Sequence, residues 1–296
     1  MMIQAVLGNP NHPEYGVATI PFPIPHDQYT YCMDLLEALE IGDAVKADCK
    51  VVEFDSAYNV LKHMEQCTVN VEELNYLAKR LESFDTGEAA QFQAMAHKLE
   101  LFQLKDLINL TFCCQQATVI TDFSDLAAVG RDHYMNLHGS SASVDELNKL
   151  DGEETARRLI ENGGGTITPY GVVYDNGMKL EQVYDGRFFP CYYYEPNVIT
   201  VAVTSKSEPE DTNHITWLYL PMVQEEIDRT LLRGGITDPA DVRLRLEDSQ
   251  LPNEVDVLLD MECETLSDLN ELAAATDGLS NADMEKLGAV VTLAEP

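Results

Sequence analysis

Two stretches near the ends of the chain repeat one order of apolar and polar runs. Each opens on a short apolar strand, at residues 3–7 and 199–203. A polar loop follows, then a second strand that ends at Phe22-Pro23 in one stretch and Leu220-Pro221 in the other. A helix comes next. Cys32, Leu35, Leu36 and Leu39 recur at i, i+3, i+4, i+7 and predict one buried stripe. Val223, Ile227 and Leu231 predict the same in the second stretch. Third strands are expected at 49–54 and 242–246, each running into Asp-Ser, at Asp55-Ser56 and Asp248-Ser249. Further on, Leu74-Asn75-Tyr76-Leu77-Ala78 matches Leu269-Asn270-Glu271-Leu272-Ala273, and Cys67 lies nearly in register with Cys263. Asn70 with Glu73, and Thr265 with Asp268, mark helix starts with an acid three positions on. A second short helix is expected from about Thr86 and from about Asn281. The pattern predicts a duplicated module.

The region between them has its own pattern. Helices are expected at 101–110, at 123–135 with Leu126, Val129 and Tyr134 apolar, and at 153–162. The last of these stops at Gly163-Gly164-Gly165, a strong C-terminal signal. Strands at 166–174 and 178–184 flank Asp175-Asn176-Gly177, which predicts a hairpin. Asp185-Gly186 then turns the chain into a third strand at 187–194. Small antiparallel sheets with added helices make an α+β class. The expected domains are 1–100, an N-terminal acidic α+β module; 101–195, helices followed by a β-meander; and 196–296, an acidic module resembling the first.

Charge changes this picture most. Fifty-one acidic residues face nineteen basic ones, a net charge of -32 on 296 residues. Hydrophobic residues make up 45%, which excludes a disordered acidic tail. Residues 1–100 carry 16 acids and 6 bases, residues 101–200 carry 14 and 7, and residues 201–296 carry 21 and 6. From Glu247 onward only Lys286 is basic. Such a chain repels nucleic acid and anionic lipid, and its natural partners are basic surfaces or cations. At one charge per ~1.7 Å of duplex, 32 charges cover roughly 54 Å, about sixteen base pairs. A globule of this length is roughly 50 Å across. Solubility and halophilic adaptation also produce acidic totals. No run approaches eighteen apolar residues, so no membrane span is expected, and the N-terminus has no secretory pattern. Seven cysteines without a CxxC predict free thiols in a reduced, cytoplasmic protein.

Conventional site chemistry is absent. The glycine run follows a helix and precedes a strand, so it is a helix stop and not a phosphate loop. The seven histidines form no HExxH, and no His or Cys group has zinc spacing. Asp175-Asn176-Gly177 is only a fragment of a calcium loop. There is no GxSxG. Tyr192-Tyr193-Tyr194 suits an edge strand or an interface better than base stacking. No cofactor, metal site or catalytic residue is expected. What remains is displayed charge. Glu37, Glu40 and Asp43 follow the first helix; Glu72 and Glu73 open a later one. Glu247, Asp248, Glu254, Asp256, Asp260, Glu262, Glu264, Asp268 and Glu271 recur every one to six residues. A carboxylate can stand in for phosphate by accepting from Lys and Arg. Taken singly each acid is a solvated residue, and together they form the candidate partner-binding surface.

Several strings resemble the ArdA family of antirestriction proteins, in the longer forms carried by mobile elements of Gram-positive bacteria. They are residues 74–84, Leu104-Lys105-Asp106-Leu107-Ile108-Asn109-Leu110-Thr111-Phe112, and Asp125-Leu126 with Gly130-Arg131 and Tyr134. Thr168-Pro169-Tyr170-Gly171-Val172 and Tyr184-Asp185-Gly186-Arg187 complete the set, which covers roughly residues 1–195. The resemblance implies an elongated, multi-domain, often dimeric protein that imitates B-DNA. It implies occupation of the DNA groove of type I restriction-modification enzymes, with no catalytic residues to transfer. The competing readings are an acidic adaptor for another basic, nucleic-acid-binding protein of the host or mobile element, and an enzyme with a carboxylate site assembled by folding. None of them involves direct binding to nucleic acid or membrane.

Overall fold

The computed structural model describes residues 3–139, 141–192, 196–210 and 212–294. The N-terminal elements are β1 (Ile3–Gly8), β2 (Val17–Phe22), α1 (Tyr29–Ala38), β3 (Cys49–Asp55), β4 (Thr68–Val69), α2 (Val71–Glu82) and α3 (Thr86–Lys98). The middle holds α4 (Leu104–Leu110), β5 (Thr118–Ile120), α5 (Leu126–Leu137), α6 (Val144–Lys149), α7 (Gly152–Glu161), β6 (Thr166–Thr168) and β7 (Gly171–Tyr174). The C-terminal part holds β8 (Ile199–Ser205), β9 (Thr216–Leu220), α8 (Gln224–Arg233), β10 (Val242–Ser249), α9 (Asn253–Asp256), α10 (Leu266–Thr276) and α11 (Asn281–Ala294). The sheets are antiparallel, with orders β2-β1-β3-β4, β5-β7-β6 and β10-β8-β9. The fold class is α+β.

The duplication is one of topology. In both copies the first strand lies at the centre between the second and the third. Both second strands run into a cis X-Pro bond, Phe22-Pro23 and Leu220-Pro221. The third strand of each copy bulges at one place, Val52 in β3 and Glu247 in β10, which are the residues skipped in the two registers. Three helix pairs, α1/α8, α2/α10 and α3/α11, start 195 residues apart. The caps repeat as well. Asn70 accepts from the Glu73 amide at 3.0 Å, and Thr265 forms a full capping box with Asp268.

The chain gathers into two compact units and not into the three expected domains. The first contains residues 3–23, Leu39–Ile41 and Ala47–Tyr184. The expected boundary near residue 100 is not a division, because α4 packs on α2. Arg80 of α2 donates to the Thr111 carbonyl at 3.1 Å and lies 4.4 Å over the Phe112 ring. Asn109 donates to the Tyr184 carbonyl at 3.0 Å and accepts from the Tyr184 amide at 2.7 Å. These bonds hold the end of the middle region on the helices that precede it.

The second unit contains Ile24–Ala38, Gly42–Lys46 and residues 185–294. Helix α1 therefore falls outside the sheet unit of its own module. Two α8 arginines hold the loop that follows it. Arg229 donates to the Gly42 carbonyl at 2.7 Å, and Arg233 to the Ala44 carbonyl at 2.9 Å. Arg233 is only 4% exposed. It also donates to the Arg187 carbonyl at 3.1 Å while Arg187 donates back to the Arg233 carbonyl at 2.8 Å. The core of this unit packs Val201, Val203, Leu218 and Leu220 of the sheet against Ile227 and Leu231 of α8 and Leu269 of α10.

Two expected strands are missing. Asn176 and Gly177 do turn the chain, with φ of 54° and 78°, and the Met178 amide donates to the Asp175 carbonyl at 2.8 Å. Residues 178–184 form no strand, however. β7 is the middle strand of β5-β7-β6, so both of its edges are already paired. The hairpin lies earlier, where Pro169-Tyr170 splits the expected 166–174 strand into β6 and β7. Residues 187–192 are not a strand either, and Tyr193 and Tyr194 lie outside the described residues. The glycine stop is as expected. α7 ends at Glu161, with Gly163 and Gly164 at φ of 72° and 85°.

α5 and α7 cross at two glycines. A Cβ on Gly130 would meet the Gly152 carbonyl oxygen at 1.8 Å, and one on Gly152 would meet the Ala127 carbonyl oxygen at 2.3 Å. Gly130→Ala is expected to cost about 3 kcal/mol in urea unfolding through overpacking. Gly87→Ala, whose Cβ would meet only Asp85 Oδ1 at 3.2 Å, is expected to stay within about 1 kcal/mol. Equal costs would contradict the close crossing. Arg233→Ala is expected to cost about 3 kcal/mol by leaving buried carbonyls without a donor. Arg233→Lys should recover only part of that, since an ammonium lacks the guanidinium fork; full recovery would contradict the assigned geometry.

Candidate partner-binding surface

The structure sorts the fourteen candidate carboxylates into those engaged locally and those facing solvent. Asp43 is engaged. Its Oδ1 accepts from the Val45 and Lys46 amides at 2.8 and 2.9 Å, and Oδ2 pairs with Lys46 at 3.2 Å. The Lys46 and Val45 amides hold its carboxyl below the usual range, and the Lys46 ammonium adds to this. Glu72 and Glu73 are half-buried in the first turn of α2, and Glu73 Oε1 accepts from the Tyr184 hydroxyl at 2.7 Å. Glu247 pairs with Arg245 at 3.2 Å. Asp256 accepts from Ser249 Oγ at 2.8 Å. Asp268 closes the α10 capping box, accepting from Thr265 Oγ1 at 2.6 Å.

Asp260 organises a turn. Its Oδ1 accepts from the Glu262 amide at 3.1 Å, and its carbonyl accepts from the Cys263 and Glu264 amides, both at 2.8 Å. The Cys263 thiol donates to Oδ2 at 3.1 Å and, with the Glu262 amide, lowers the Asp260 pKa. The backbone that carries Glu262 and Glu264 is thereby fixed. Glu37, Glu40, Asp248, Glu254 and Glu262 are exposed, Glu264 is half-buried, and none of the six side chains has a hydrogen-bond or ion-pair partner among the described residues. Glu271 is exposed and has only a 3.5 Å approach from Ser267 Oγ. Glu37 and Asp43 belong to the second unit and Glu40 to the first, so the expected trio is divided between units.

Comparing the copies explains why the second displays so much charge. Leu61, Val69 and Tyr76 of the first copy are buried. The positions 195 residues later are Asp256, Glu264 and Glu271, which are half-buried, half-buried and exposed. α2 buries residues on several sides because α4 and its own sheet both lie against it. α10 buries Leu266, Leu269, Ala273 and Thr276, a narrower face. The cations nearby do little to offset the acids. Arg187, Lys206 and Arg243 donate to the carbonyls of Arg233, Ala240 and Glu208 at 2.8, 2.9 and 3.3 Å, and none pairs with a carboxylate among the described residues. Lys286 pairs with Asp283 on its own helix at 2.8 Å.

A second acidic feature escaped the sequence reading. In the first unit a cleft of about 860 Å³ is lined by Asp85, Glu88, Asp122, Asp125 and Asp132, without a basic residue. Asp85 and Asp125 are helix caps, Asp122 bonds Ser124, and Glu88 both closes the Asp85 capping box and accepts from Gln115 at 3.4 Å. Burial raises the Asp132 carboxyl above the usual range. The capping pattern at Asp85 and Asp125 is legible in sequence, but their convergence is not. No group of three or more His, Cys, Asp or Glu side chains suited to a metal ion occurs among the described residues. No described helix is long and apolar enough to cross a membrane. Of the tyrosine run, Tyr192 is buried and its amide donates to the Tyr219 hydroxyl at 2.6 Å.

Comparison of the chain with protein-family models, curated proteins and solved structures finds no match.

The division of the carboxylates can be measured. Asp248→Asn and Glu254→Gln are expected to leave Tm unchanged or slightly raised, because they remove repulsion and break no bond. Thr265→Ala should cost about 1 kcal/mol through its cap. A clear drop in Tm for the first two would show that those carboxylates hold the fold.

Proposed function

We propose that the chain is a non-catalytic mimic of DNA that binds the basic DNA-binding cleft of a type I restriction-modification enzyme and inhibits it. The observation that carries this reading is the set of exposed carboxylates on the C-terminal copy, Asp248, Glu254 and Glu262, which have no hydrogen-bond or ion-pair partner among the described residues. A carboxylate offers Lys and Arg the acceptor oxygens that phosphate offers. Held by capped helices and by the Asp260 turn, these acceptors lose little freedom on docking. The resemblance of residues 1–195 to ArdA proteins supports the same target. Carboxylates displayed against a basic cleft steer association and weaken with salt. The protein acts in the cytoplasm, where Cys32, Cys49, Cys113 and Cys114 stay buried as thiols.

The test is binding to a purified type I enzyme, together with protection of an unmodified plasmid in a restricting host. Affinity is expected to fall about tenfold or more between about 50 and 200 mM salt. The combined variant Glu37→Gln, Asp248→Asn, Glu254→Gln, Glu271→Gln should keep its Tm and lose at least about tenfold in affinity, roughly 1.4 kcal/mol. Wild-type protein that neither binds the enzyme nor protects the plasmid would sink the proposal. If it instead captures another basic nucleic-acid-binding protein, the adaptor reading replaces it.

A further inference from the structure

Helices α5, α6 and α7 form a lobe with few ties to the rest of the first unit. α5 and α7 pack chiefly on each other, through the crossing of Gly130 and Gly152. Their buried residues are Gly130, Gly152 and Ala156, and α6 buries none. The lobe thus sinks no large apolar side chain into the core. Among the described residues, residues 125–162 make two hydrogen bonds to the remainder of the unit, and both end on one atom. That atom is the hydroxyl oxygen of Thr118 on β5, a residue only 2% exposed. Asn136 Nδ2 donates to it at 3.3 Å, and His133 Nδ1 lies 2.9 Å from it.

The bonds around Thr118 decide which way the His133 bond runs. Asn176 Nδ2 donates to the Gln116 carbonyl at 2.8 Å, and a carbonyl accepts only from the amide nitrogen, so that side chain has one orientation. Its second hydrogen goes to Thr118 Oγ1 at 2.9 Å. With Asn136 donating as well, both lone pairs of the hydroxyl are taken. The hydroxyl hydrogen remains, and His133 Nδ1 accepts it. His133 is therefore neutral, with its own proton on Nε2. A proton on Nδ1 would bring a third donor to an oxygen with two lone pairs, and the bond would break. Burial also pushes the His133 pKa below its ordinary value of 6.5.

The charges facing His133 are already engaged. It shares a cavity of about 450 Å³ with Arg158 of α7, which pairs with Glu154 at 2.9 Å, and with Asp175, which pairs with Lys98 at 2.6 Å. The third titratable side chain there is the Tyr174 phenol. β5 and residues 114–116 add only the Cys114 thiol, which burial pushes up. On its own helix, Arg131, Asp132 and His138 are exposed.

We propose that His133 is a proton-operated latch, whose protonation breaks the bond to Thr118 and releases residues 125–162 from β5 as one piece. The close glycine crossing keeps α5 and α7 together as the lobe leaves. The lobe carries one wall of the acidic cleft: Asp125 and Asp132 come from α5 and its cap, Asp85 and Glu88 from the start of α3. Opening takes the two pairs of carboxylates apart. The folded chain binds the His133 proton more weakly than the unfolded chain does. The latch is accordingly closed above about pH 6.5 and loosens as pH falls through the lower folded value. The inference does not depend on the DNA-mimic reading, and its test uses no restriction enzyme.

The test is nitrogen-15 NMR and amide hydrogen exchange on the full-length protein. At about pH 7.5 His133 should carry its proton on Nε2, and its titration midpoint should lie below about 6.5. Protection of the α5 and α7 amides, corrected for intrinsic exchange, should fall at least about fivefold between about pH 7.5 and about pH 5. The β1 amides should change less than about twofold over the same range. His133→Gln gains no proton, so protection of α5 and α7 in that variant should stay constant within about twofold, whatever its level. The NMR measurement needs no variant. A proton on Nδ1 at the upper pH, or a midpoint at or above about 6.5, overturns the proposal. So does protection of α5 and α7 that persists in acid, or a pH dependence that survives in His133→Gln. Loss confined to α5 would refute release as one piece, and an equal loss in β1 would mean unfolding of the whole unit instead.

Discussion

A guanidinium that is 4% exposed, on Arg233, joins backbone from three separated stretches of the second unit: the loop at Ala44, the turn at Gly186 and Arg187, and helix α8 that carries it. The rest of the unit depends on that junction, because it fixes where α1 and its following loop can lie. The same use of cations recurs. Arg80, Arg187, Arg229, Lys206 and Arg243 all donate to main-chain carbonyls. With nineteen basic residues against fifty-one acids, each cation employed in this way is not available to the surface. The guanidinium fork suits the task, since it can bind several carbonyls at once. Cohesion through neutral acceptors leaves most of the fifty-one acids without a cation to pair with.

Duplication then gives the charge somewhere to go. In the first copy, α2 and α3 are covered by α4 and by the β5-β7-β6 sheet, and Ala94, Met95 and Ala96 of α3 are buried. Their counterparts Ala289 and Val290 on α11 are exposed, and Val291 is half-buried. A copy with less covering it has surface positions to fill, and acids at Glu264 and Glu271 fill two of them. The strand order, the bulge and the caps are kept, so the framework that positions these acids is the one that the first copy uses to build a core.

Local chemistry was legible in the sequence where it acts within a few residues. The caps at Asn70 and Thr265 and the stop at Gly163-Gly164 are set by hydrogen bonds to neighbouring amides or by positive φ. The repeated order of strands and helices could be read for the same reason. Partner choice at long range could not. Asn176-Gly177 specifies a turn but not whether β7 still has an edge for the next strand. The α1 stripe of Cys32 and Leu36 declares a buried face without saying which unit buries it. Among the acids, composition could not distinguish Glu73, bound to a hydroxyl 111 residues away, from Glu254, which has no partner among the described residues. That difference exists only once Tyr184 has been brought to α2.

Charge and the open edge of β10, which ends its sheet, bear on each other. An exposed strand edge invites pairing with another copy, and proteins usually blunt it with charge, bulges or a covering segment. β10 carries Arg243, Arg245 and Glu247, bulges at Glu247, and lacks the covering strand that β3 has. A molecule at -32 also repels its own copies before their edges meet. Self-repulsion of that size makes an uncovered edge tolerable in solution. The same acids that would serve a DNA-like surface thereby keep the edge free of like chains.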